Sequence, residues 1–79
     1  MAAKRKDMQV IIGLPDGKQF RVTTEETKFK DDLFHTVIEG LTERGEWEEL
    51  WTFVSNTRRD AHRMHRAAIE DLRRNPPEI

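Results

Sequence analysis

The chain has 79 residues, with 14 Lys and Arg against 15 Asp and Glu, and no cysteine. That length fits one domain, 1–79, of a size that buries little surface unless it packs tightly or finds a partner. The missing cysteines exclude disulfides and thiolate metal sites, and a net charge of −1 gives no overall field toward nucleic acid or membrane.

Hydrophobic residues make up 35% and charged residues 37%. This is polar for a folded chain, but two Trp and four Phe argue against full disorder. The charge is uneven. Residues 1–22 carry five bases and two acids, residues 23–54 three bases and nine acids, and residues 55–79 six bases and four acids. Such blocks ordinarily compensate one another within a fold. The start Met-Ala-Ala-Lys-Arg-Lys has no apolar run behind it and reads as a flexible arm over 1–7, not as a signal peptide. No stretch approaches the roughly 18 apolar residues of a membrane helix. A small soluble cytoplasmic protein is the expectation.

Residues 8–22 read as a β-hairpin. Val10, Ile11 and Ile12 favour strand. Pro15-Asp16-Gly17 supplies a turn, because Pro presets φ and Gly accepts positive φ. Phe20 and Val22 alternate with polar neighbours, and Gly13 marks a candidate bulge. Residues 23–30 read as a polar connector anchored by Phe29, with Thr27 or Asp31 as a cap for the next helix.

Residues 31–44 read as a first helix, because Leu33, Phe34, Val37, Ile38 and Leu41 follow the i, i+3, i+4 rule. Gly40 is a weak point inside it, and Gly45 stands where a C-terminal cap belongs. Residues 46–74 contain neither Gly nor Pro and read as a very long second helix, with a candidate break at residues 55–56. Such a rod would run about 40 Å. Trp47, Leu50, Trp51 and Val54 supply its first stripe, and Arg58, Ala61, His65, Ala68 and Leu72 continue it. Pro76 and Pro77 end it, leaving a tail over 75–79. The expected class is α+β, an N-terminal hairpin packed on two helices.

The order of hairpin, connector and amphipathic helix over 8–38 resembles the opening of a β-grasp, ubiquitin-like fold. The later strands of that fold have no counterpart, since everything after Gly45 reads helical. The resemblance therefore implies no function.

Catalytic signals are poor. Ser55 is the only serine, and Tyr and Cys are absent. Ser55 and His62 are two helical turns apart in this reading, about 10 Å, beyond hydrogen-bond reach. Adjacent acids such as Glu48 and Glu49 diverge on a helix, and no glycine-rich phosphate loop is present. His35, His62 and His65, with Glu39, form a weak candidate metal site, opposed by the arginines around the helical pair. No cofactor is expected. Arg58, Arg59, Arg66 and Arg73 form a basic edge that could follow phosphates. Glu46, Glu48 and Glu49 stand where a recognition helix would read bases, which argues against direct reading.

The expectation is a non-catalytic protein-binding module, a small adaptor or inhibitor that self-associates. Its expected contact residues are Arg58, Ala61, Met64, His65, Ala68, Ile69 and Leu72 on the second half of the long helix. Arg and His on an apolar stripe suggest a wet interface, not a dry core. Replacing Ala61 and Ala68 by Glu should then abolish association and leave the fold intact. Trp47 and Trp51 are expected to close the core.

Overall fold

The computed structural model describes residues 3–28 and 32–78. The elements are β1 (Ala3–Gly13), β2 (Gln19–Lys28), β3 (Asp32–Leu41), β4 (Trp47–Ser55) and α1 (Arg58–Arg74). The strands form one antiparallel sheet in the order β1-β2-β3-β4. The helix returns across one face of it.

The expected hairpin on two helices is thus overturned: four strands precede a single helix. The α+β class stands, but residues 31–44 are not a helix, and residues 46–55 are not the first half of one. Nor is the order of elements that of a β-grasp opening, because a third strand stands where its helix would be.

Alternation shows why β3 is a strand. Phe34, Thr36, Ile38 and Gly40 are buried, while Leu33, His35, Val37, Glu39 and Leu41 between them are half-buried. Apolar residues on both faces of a strand create adjacent pairs, Leu33-Phe34 and Val37-Ile38, that mimic helical spacing. The β-branched run Thr36-Val37-Ile38 packs better on a pleated surface than in a helix. In β4 the run Trp51-Thr52-Phe53-Val54 has the same preference.

Two similar turns join the hairpins. Gly17 has φ +93 and donates its N–H to the Leu14 carbonyl, 2.9 Å, while Leu14 donates to Lys18 at 2.8 Å. Gly45 has φ +82 and donates to the Thr42 carbonyl, 2.9 Å, while Thr42 donates to Glu46 at 2.8 Å. Both are short hairpin loops closed by a left-handed glycine. Gly45 is therefore a hairpin residue, not a helix cap. The link β1-turn-β2 matches the expected hairpin, although β1 starts at Ala3 in the stretch read as a flexible arm. The irregularity in β1 lies between Lys6 and Met8, not at Gly13. The connector is mostly β2, so Thr27 is a strand residue and caps nothing. Phe29 and Asp31 lie outside the described residues.

Residues 55–56 are not a kink within one helix: β4 ends at Ser55 and α1 begins at Arg58. Thr57 caps α1, its hydroxyl accepting from the Asp60 N–H at 3.1 Å. Asp60 in the first turn and Arg73 and Arg74 in the last suit the helix dipole. The Asn75 N–H closes the end on the Asp71 carbonyl, 2.8 Å.

The core lies between α1 and the sheet. Ala68 and Leu72 pack on Ile12, Phe20, Val22 and Ile38, with Val10, Leu14, Leu50, Phe53 and Ile69 around them. Each large apolar side chain fully buried there contributes about 1.5–3 kcal/mol. The register puts Val10, Val22, Ile38 and Trp51 in one row across the helix-covered face.

Candidate functional site

Four of the expected contact residues are spent inside the chain. Ala61, His65, Ala68 and Leu72 are buried against the sheet. Their spacing, 61, 65, 68 and 72, is the inward stripe of α1. Ile69 is half-buried and packs on the same core. The contact seam expected of a free helix is thus covered by strands that the helical reading did not foresee. Met64 lies on one flank of the helix, beside β4.

The two polar residues of the stripe are satisfied internally. His65 Nδ1 lies 2.9 Å from Thr24 Oγ1, which lies 3.0 Å from Thr36 Oγ1. All three side chains are buried. Arg58 Nη2 donates to Glu26 Oε2 at 2.6 Å, and its guanidinium lies 5.5 Å from the Phe34 ring centre. Glu26 is itself buried. Burying hydroxyls and a carboxylate is tolerable when each finds such a partner. The Thr24 and His65 pair has the reach of a nucleophile and its base. With Thr24 at 0% and His65 at 2% exposure, it is closed to any substrate.

The metal candidates do not meet. Strand alternation puts His35 and Glu39 on the sheet face away from α1, whereas His65 is on the covered face. Among the described residues no cluster of three His, Asp or Glu could hold a metal ion. Glu39 instead chelates Arg21, with Nε to Oε1 at 2.8 Å and Nη2 to Oε2 at 3.0 Å. That hydrogen bonding raises the Arg21 pKa above its usual value, partly opposed by burial. Arg21 also lies 4.6 Å from the Trp47 ring centre. Trp47 therefore sits on the uncovered face under an arginine and does not close the core.

Of the basic edge, Arg58 is held by Glu26, while Arg59, Arg66 and Arg73 are exposed on α1. Glu70 is exposed on the same helix and interrupts the positive field.

Two of the three exposed large apolar side chains among the described residues lie on β4, and the third, Ile11, is on β1. Among the described residues β4 pairs with β3 alone, so its other side is a sheet edge. Trp51 is 48% and Val54 56% exposed. The run Trp51-Thr52-Phe53-Val54-Ser55 carries no charge. Trp51 and Phe53 border a groove of about 380 Å³ with Ile38, Met64, Ala67 and Asp71. A second groove, about 450 Å³, continues along the same flank past Val54, Ser55, Asp60 and Arg63. The other edge, β1, carries the basic run Lys4, Arg5 and Lys6 in sequence. Both edge strands have a register shift, β1 between Lys6 and Met8 and β4 at Leu50. Charge and bulges are common guards on strand edges.

Thr24, Thr36 and Glu26, the partners that make a buried His65 and an ion-paired Arg58 tolerable, are not among the expected site residues, and Trp51, expected in the core, is half-exposed. The available signal is the β-branched run Val22-Thr23-Thr24 and the β-branched and aromatic run Thr52-Phe53-Val54. Comparison with protein-family models, curated proteins and solved structures finds no match to the chain.

Proposed function

We propose that the chain is a non-catalytic protein-binding module, an adaptor or inhibitor by type, whose binding surface is the outer edge of β4 with the grooves beside it. The observation that carries this is the uncharged run over 51–55 on an edge strand, with Trp51 and Val54 held open to solvent. A strand edge offers unused N–H and C=O groups to an added strand, and pockets for alternate side chains give specificity. Trp is enriched among residues that dominate interfaces. Met64 belongs to this surface; the other six expected contact residues do not lead it.

Photo-crosslinking in cells that express the protein tests this. A photoreactive residue at position 51 should join the chain to polypeptide. The same group at Arg66, on the arginine side of α1, should not. Crosslinks to nucleic acid from position 66, with none to polypeptide from position 51, would favour the basic edge and overturn the reading.

A further inference from the structure

The β4 edge is complementary to itself. We propose that a second copy of this chain occupies it, β4 against β4, antiparallel, about a twofold axis at Phe53. This rests on the reading of β4 as the binding edge.

In that register Phe53 faces Phe53, Thr52 faces Val54, and Trp51 faces Ser55 of the twin. No charged residue falls in the paired run. Residues directly opposite point to the same face, so Trp51 lies over the small Ser55. Ser55 borders the 450 Å³ groove of its own chain, where Val54, Met64 and Ala67 stand beside Asn56, Asp60 and Arg63. Each Trp51 thus gains a partly apolar seat on the other copy, and the exchange is mutual, as an isologous interface requires.

Charge agrees with this register. The regular ladder stops at this run, because β4 carries an extra residue at Leu50 and ends at Ser55, which leaves Glu48 and Glu49 on the side of the twin's α1 start. That end carries exposed Arg59 and the positive pole of the helix, which favours acids, while Arg58 is already paired with Glu26. Asp60 and Asp71 flank the grooves, and each has an arginine three residues on, Arg63 and Arg74, on its own helix. Pairing β4 with the β1 edge of another copy would instead meet the basic run of β1. It would also leave a free β4 edge at one end and a free β1 edge at the other, which add further copies into an open fibre.

Sedimentation equilibrium of the full chain over a wide concentration range tests the proposal. The mass should rise from 9.4 kDa toward twice that value and stop. Val54→Lys and, separately, Trp51→Arg should stay at the monomer mass with an unchanged circular dichroism spectrum. Ile11→Lys, at a side chain 56% exposed on β1, should dimerise like the parent chain. Glu48→Arg with Glu49→Arg should raise the concentration of half-association by about tenfold. A parent chain that stays monomeric throughout, growth past two copies, or loss of the dimer in Ile11→Lys as much as in Val54→Lys would overturn it. A monomer whose position 51 still crosslinks to another polypeptide removes the twin and leaves the binding edge. A monomer without such crosslinks removes both.

Discussion

Thr24 Oγ1 and His65 Nδ1 sit 2.9 Å apart where the helix crosses the second strand, and neither side chain reaches solvent. This contact ties α1 to the middle of the sheet at a fixed register. Thr24→Val should remove it and leave the imidazole without that partner, costing about 1–3 kcal/mol. Thr24→Val with His65→Leu should cost less than the sum of the single changes, by about 0.5 kcal/mol or more. Urea titration followed by circular dichroism measures each term. Strict additivity would mean that the two groups are not coupled.

Arg58→Ala should destabilise by about 1–3 kcal/mol, because it takes from buried Glu26 the guanidinium that donates to it. The arginine is half-exposed, so solvent screens part of the pair and the loss should fall short of that for a fully buried ion pair. Arg58→Ala in a Glu26→Gln background should be milder. An equal loss in both backgrounds would show that Arg58 does not act through Glu26.

Gly45→Ala should cost about 1 kcal/mol. An added Cβ meets nothing within 4 Å, so the penalty is the left-handed backbone at φ +82, not a clash. Gly17→Ala, at φ +93 with equal space, should behave alike. Had Gly45 ended a helix, the Thr42-Glu43-Arg44-Gly45-Glu46 segment would lack the hairpin hydrogen bonds that Gly17 shares with it. Amide exchange should therefore protect the Gly45 and Thr42 N–H groups, both donors across the turn.

This pair of turns also shows how far the chain could be read from its residues. Pro15-Asp16-Gly17 was legible because proline and glycine both punctuate, and it fixed the first hairpin. Glu43-Arg44-Gly45 was not, since Glu and Arg are good helix formers and hide the same geometry. Once that turn was missed, Leu33, Phe34, Val37 and Ile38 fitted a helical stripe as well as a two-faced strand. The error then spread to the site. A helix over 46–74 with few apolar partners needs an outside surface for Ala61 and Ala68. A helix over 58–74 behind four strands has one already. His65 and Arg58 looked like interface residues because Thr24, Thr36 and Glu26 had no place in the core until the strands supplied one.

Leu72→Ala should destabilise by about 2–5 kcal/mol, because its side chain is buried against both hairpins through Phe20 and Ile38. Small domains seldom have much more than that in reserve. The measurement is thermal unfolding at low concentration, where association contributes little. A variant that melts like the parent would place the helix only loosely on the sheet.

Ala61→Glu with Ala68→Glu gives the clearest separation between a helix that waits for a partner and one already seated. On a free helix face the two carboxylates would sit in water and the fold would survive. In this structure Ala61 is 0% and Ala68 6% exposed, with the sheet directly beneath. The charge at position 68 would meet the apolar strand residues Val22 and Ile38 of the core, and the charge at position 61 would be forced into a fully buried site. Burying an uncompensated carboxylate costs several kcal/mol, so the double variant should unfold. Far-UV circular dichroism should show the sheet and helix lost together, in contrast to Val54→Lys, which keeps both. A folded Ala61→Glu, Ala68→Glu chain would mean that α1 can leave the sheet at little cost.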